Sequence, residues 1–190
     1  MAGERESMWA TVSSDHLRWL FWQTIVIAAL ANAALNALIA WVSTLGEDEV
    51  PLWAIPLVEG PSTITDTVGT FFVLTFLTTL VVTTAVWHEL EGERLPRLEV
   101  HHRLPFADRL PPTRLRRAVM LGLACMAVLG PPAVIVLIAL DFGDLSIGDF
   151  VLYKAIFGVV LGLLVTPLIA LLAFGDMRGG ERVEPETAPA

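Results

Sequence analysis

Four stretches of the 190-residue chain carry no Asp, Glu, Lys or Arg: 19–46, 67–88, 118–140 and 155–175. Each is dominated by Leu, Val, Ile, Ala and Phe and lacks the regular polar stripe of a soluble amphipathic helix. Each is also long enough to cross a bilayer, which takes about 20 mostly apolar residues in a helix. The pattern predicts an all-α polytopic membrane protein with transmembrane helices over 19–43, 66–87, 118–140 and 151–174. The rest divides into a tail (1–18), a loop (44–65), an arginine-rich loop (88–117), a short loop (141–150) and a C-terminal tail (175–190) read as disordered. Residues 19–174 then form one four-helix membrane domain.

Composition agrees. The chain is 55% hydrophobic, with a mean hydropathy of +0.66, above the roughly 45–50% apolar content of soluble domains. The net charge of −8 does not decide orientation, because Lys and Arg near span ends do. Eleven of the twelve basic residues lie in the two tails and the 88–117 loop. The other two loops contain none and hold Glu47, Asp48, Glu49, Glu59, Asp141 and Asp144. Both termini and the 88–117 loop are therefore expected in the cytoplasm. Residues 1–18 include Glu4, Glu6 and Asp15, so they lack the basic start of a cleaved signal peptide. Trp19, Trp22 and Trp87 fall at expected inner ends, and Trp41 and Trp53 at the outer side, as in an interfacial aromatic belt. Trp9 stands apart. The single cysteine, Cys125, rules out an intramolecular disulfide and reads as a packing residue in span three.

The chain also matches itself. At an offset of 83, Thr63-Ile-Thr-Asp66 falls on Ser146-Ile-Gly-Asp149, and Leu80, Val82 and Thr83 fall on Leu163, Val165 and Thr166. At an offset of 99, Arg18 falls on Arg117 and Leu38-Ile-Ala40 on Leu137-Ile-Ala139. Two spans return a chain to its starting side, so this is a parallel repeat rather than an inverted one. Thr63 and Ser146 are read as helix N-caps, with Asp66 and Asp149 completing capping boxes. Leu145 and Phe150 add a hydrophobic staple.

Residues 63–84 contain nine threonines. Thr75, Thr79 and Thr83 share one helix face, and their counterparts are Gly158, Gly162 and Thr166. Gly158 and Gly162 form a GxxxG motif, which lets membrane helices approach closely. Spans two and four are expected to pack through these faces; a homodimer contact is the other use of the motif.

Asn32 and Asn36 stand one turn apart in span one, either as interhelical contacts or as solute ligands. Lys154, the one lysine, lies on the row of Gly158 and Gly162 near the end where span two begins. It can pair with Asp66 or extend toward water. Asn32, Asn36, Asp66 and Lys154 make a candidate polar path, since ionisable groups inside spans are candidates for function. Gly130-Pro131-Pro132 and Thr166-Pro167 predict kinks.

The 88–117 loop repeats Arg-Leu-Pro at 94–96, 103–105 and 109–111. Its arginines suit anionic inner-leaflet headgroups or a protein partner. Five acids between 89 and 108 argue against nucleic acid. The segment from Val50 to Pro61 is too short to span and is read as interfacial or as a cap on the bundle. His88-Glu89 does not continue into HExxH, and no GxSxG, Walker or GxGxxG motif occurs. His101-His102 lack further spaced ligands. No enzyme activity, metal or cofactor is therefore expected.

Several of these features together, NAALN at 32–36, PLW at 51–53, the threonine-rich second span, GPP at 130–132 and LLVTPLIAL at 163–171, resemble uncharacterised four-span bacterial membrane proteins. The resemblance implies a bacterial cytoplasmic membrane and transfers no catalytic residue. Two functions stay open: small-solute or ion transport by a homo-oligomer, or an accessory or scaffolding subunit that docks a membrane partner.

Overall fold

The computed structural model describes residues 18–19, 21–55, 60–92, 110–111, 113–140 and 143–174. The tails, most of the arginine-rich loop with its Arg-Leu-Pro repeats and His101-His102, and Trp9, Glu59 and Asp141 lie outside the described residues.

The fold is all-α, with four helices long and apolar enough to cross a membrane. A π-helical segment, Phe21–Ala28, leads into α1 (Ala29–Ser43). Then come β1 (Glu49–Val50), α2 (Thr63–Glu91), α3 (Arg114–Ala139), β2 (Leu145–Ser146) and α4 (Ile147–Phe174). The last three helices run past the expected limits, because their polar ends can stand at headgroup depth. At about 1.5 Å per residue, α2 is some 40 Å long. The helix α3 continues through Pro131 and Pro132, and α4 through Pro167, so neither is broken at its prolines.

Threonine does not disrupt α2, because its hydroxyls bond back along the helix. Thr67, Thr70, Thr79 and Thr84 donate to the carbonyls of Thr63, Asp66, Thr75 and Leu80 at 2.6–2.7 Å. Such i−4 bonds satisfy the side chain where no water is at hand.

The helices do not pack in chain order. Extensive contacts join α1 to α4, α4 to α2, and α2 to α3. Among the described residues, α1 scarcely touches α2, and α3 scarcely touches α4. Exchanging α1 with α3 and α2 with α4 leaves this contact pattern unchanged, as the internal repeat requires. Burial fixes the register. Ten of the thirteen buried residues of α2 fall on buried residues of α4 at an offset of 83, against five at 84.

The main core lies between α2 and α4, where Phe71, Val82 and Val86 meet Leu161, Val165 and Ile169. Cys125 and Met126 of α3 pack against it. A smaller cluster of Ala40, Val50 and Phe150 closes the end of the bundle that carries the strands.

At that end β1 pairs antiparallel with β2, Glu49 opposite Ser146 and Val50 opposite Leu145. This two-stranded ribbon ties the first connection to the third. Directly after Val50 the chain bonds back to the start of α2. The carbonyls of Pro51 and Leu52 accept hydrogen bonds from the Thr63 and Ile64 amides at 2.9 and 3.1 Å. Leu52 N donates to Asp144 Oδ1 at 3.3 Å.

Part of the expected aromatic belt turns inward. Trp22, Trp41 and Trp53 are exposed on the bundle surface. Trp19 instead packs edge-on against Phe174 at 5.3 Å, and buried Trp87 lies under the Arg114 guanidinium at 3.9 Å. A neighbouring ring and a cation offer these two indoles more than the interface does.

Candidate functional site

The start of α2 sets the geometry. Its N-cap is Ser62, not Thr63: Ser62 Oγ accepts from Thr65 N at 3.4 Å and meets Thr65 Oγ1 at 2.6 Å. The first two amides are already taken by Pro51 and Leu52. No orphan donor is left for Asp66, so the expected capping role is not the one it plays. At the start of α4 Ser146 takes the capping place, and Asp149 answers through the serine hydroxyl rather than the serine backbone amide. Asp149 N donates to Ser146 Oγ at 3.2 Å, Ser146 Oγ bonds Asp149 Oδ2 at 2.7 Å, and Leu145 packs near Phe150. The repeat therefore diverges here: α2 begins one residue earlier than α4, and its acid is released from the cap.

Released, Asp66 forms an ion pair with Lys154 through Oδ2. Lys154 Nζ also donates to Thr70 Oγ1, whose own proton goes to the Asp66 carbonyl. Lys154 is fully buried, so it does not extend toward water; a carboxylate and a hydroxyl inside the bundle replace its hydration. The Phe157 ring lies 5.5 Å from the ammonium. Beside it, the Tyr153 hydroxyl meets Thr67 Oγ1 at 2.8 Å.

The GxxxG face meets α1 rather than α2. A Cβ on Gly158 would lie 2.7 Å from Asn32 O and 2.8 Å from Asn36 Nδ2, and one on Gly162 would overlap Asn32 Nδ2. The two glycines make room for the buried asparagines. Asn36 Nδ2 donates to Asn32 O at 2.9 Å, while Asn32 Nδ2 has no hydrogen-bond partner. Thr166, also buried, continues the row. On the other side the buried Thr75 sits beside Cys125 of α3, and Thr79 and Thr83, also buried, continue its row. The expected direct pairing of the two small-residue faces is thus replaced by the same contact made twice, α4 on α1 and α2 on α3.

Because α1 and α2 stand apart, a trough runs between them. Its upper cavity, about 360 Å³, is lined by Asn36, Thr65, Asp66 and Thr70 together with Leu35, Val73 and Leu77. A second cavity of about 190 Å³ lies deeper, lined by Asn32, Thr78 and apolar side chains including Ile27 and Val81. Leu35 and Leu77 line both and mark the partition. Gly60, at φ +96°, stands at the upper rim, where a Cβ would lie 3.4 Å from Glu47 Oε1.

Asn36 and Asp66 therefore face one cavity, Asn32 faces the next, and Lys154 stands behind Asp66. Thr70 and Thr78, which lie off the row of Thr75, Thr79 and Thr83, each line one of the cavities. Leu35 and Leu77 were not singled out from the sequence, and Glu47 stood there only as an outer-loop acid, because the place of all three depends on which helices meet.

The fold and this site define a multi-pass membrane protein with a mostly apolar trough between two of its helices, into which an acid and two amides project. No protein-family model, curated protein or solved structure matches the chain.

Proposed function

We propose that this protein moves a small solute or ion across a bacterial cytoplasmic membrane through the trough between α1 and α2, without chemical conversion of the cargo. The observation that carries this reading is that Asn36 and Asp66 line one cavity and Asn32 the adjoining one, with Lys154 paired to Asp66 from behind. Polar groups within spans are costly unless they pair or face a path, and here the acid does both. Leu35 and Leu77 supply a hydrophobic constriction between the two compartments. The distribution of arginine supports an orientation with the ribbon outside and both termini in the cytoplasm.

Flux into proteoliposomes tests the proposal. The wild-type chain should pass a solute or ion that empty vesicles exclude, and Asp66→Ala and Asn32→Ala should each abolish most of that flux. Absence of flux across a panel of monovalent ions, amines and amino acids would sink it. Copurification of a membrane protein that depends on the arginines of 94–117 would then favour the accessory-subunit reading.

A further inference from the structure

The rim of the trough is acidic. Among the described residues of the ribbon end, Glu47, Asp48, Glu49, Asp66, Asp144 and Asp149 are acids, and Lys154 is the one base. Lys154 offers no N–H to the cavity, because its side chain is buried and its ammonium is committed to Asp66 and Thr70, although its charge offsets part of that of Asp66. Asp66 does line the cavity. Its Oδ2 is buried toward Lys154, so the exposed fifth of its side chain lies on the trough side. A ligand entering from this end passes Glu47 at Gly60 and then meets the open edge of the Asp66 carboxylate. Below that edge the walls become apolar, first Leu35, Val73 and Leu77, then Ile27 and Val81.

One charge at the top and hydrocarbon beneath select for one kind of molecule. An anion would meet two carboxylates. A bare metal ion wants a shell of six or so oxygens, and the deeper walls are mostly carbon. A neutral apolar body leaves Asp66 without use. The upper cavity alone has the size of a small-molecule site, about 300 Å³ or more.

We propose that the trough binds an amphipathic organic ammonium ion, its cationic nitrogen at Asp66 and its apolar body along Leu35 and Leu77. As the identity of a transported cargo this rests on the transport reading above; as a binding site it stands on the trough alone.

Calorimetric titration of the full chain in detergent micelles tests it, with a phenylalkyl primary amine, its neutral alcohol counterpart and tetraphenylphosphonium as probes. Both cations should bind, and the alcohol should bind about tenfold more weakly or worse. Asp66→Asn should weaken the cations by a similar factor. Since that change leaves Lys154 unpaired, two variants that keep the ion pair complete the test. Glu47→Gln should weaken both cations by about twofold, more at low salt, and Val73→Trp should exclude the bulky phosphonium by filling the trough. Equal affinity for amine and alcohol would overturn the proposal. So would unchanged cation binding in both Glu47→Gln and Val73→Trp. Ammonium binding without flux would refute the transport reading and leave this site standing. Metal-ion flux by a protein that binds no ammonium probe would do the reverse.

Discussion

Asp66 is the fourth residue of α2, and its role depends on where the first one falls. With Ser62 as cap, Ser62→Ala should cost about 1 kcal/mol in thermal unfolding. Thr63→Val should cost less than about half of that, because the buried Thr63 hydroxyl has no partner to lose. The reverse order would restore Thr63 as the cap. The ion pair gives a second contrast. Lys154→Met or Asp66→Leu alone leaves a lone charge in the bundle, a change that typically costs about 3–5 kcal/mol. The double variant should be more stable than either single one, read as the midpoint of detergent-induced unfolding. The pairing of these two residues was legible in the sequence, since both start helices at the same end. The cap was not, because Ser62, Thr63 and Thr65 are all competent N-caps and the choice is made by Pro51 and Leu52 from a distant turn.

Each helix was visible as an uncharged run, and its small-residue face as a four-residue spacing. The partner of that face was not visible. Glycine spacing says that something comes close, and the same spacing serves any neighbour. Here the neighbour of Gly158 and Gly162 is a pair of asparagines, residues the sequence reading treated as a separate feature. Gly162→Ala should destabilise the protein by about 1–3 kcal/mol through overpacking. Combining it with Asn32→Ala should recover much of the loss, because the methyl then enters space the amide has left. An additive double variant would mean the two residues do not touch. The reading of α2 as a threonine-rich contact helix holds in part: four of its hydroxyls are consumed by its own backbone, and Thr84 also accepts from Arg114 Nη1 at 3.1 Å.

For the whole molecule, the four spans were legible and the connectivity of their contacts was not. Sequence similarity relates the halves but is silent on whether each half closes on itself or on the other. The ribbon offers a direct check. In a chain with Cys125 replaced by Ser, Glu49→Cys and Ser146→Cys should form a disulfide, visible as a mobility shift lost on reduction, since these residues face each other across the strands. A bundle of two self-contained helical hairpins would give no such link.

The contact order α1–α4–α2–α3 also bears on how the protein is made. As the chain leaves the ribosome, α1 enters the bilayer long before the helix that covers its asparagines exists. Asn32, Asn36 and Asp66 must wait in lipid, or beside the insertion machinery, until α4 arrives more than a hundred residues after α1. Long-range closure of this kind is slow compared with local pairing. A chain stopped after α3 holds unpaired polar groups in hydrocarbon, the condition that membrane quality control detects. Such a truncation should be degraded rapidly, and coexpression of α4 as a separate segment should protect it. The buried lysine thus does more than hold one carboxylate: it arrives with α4, the same helix that covers the asparagines of α1.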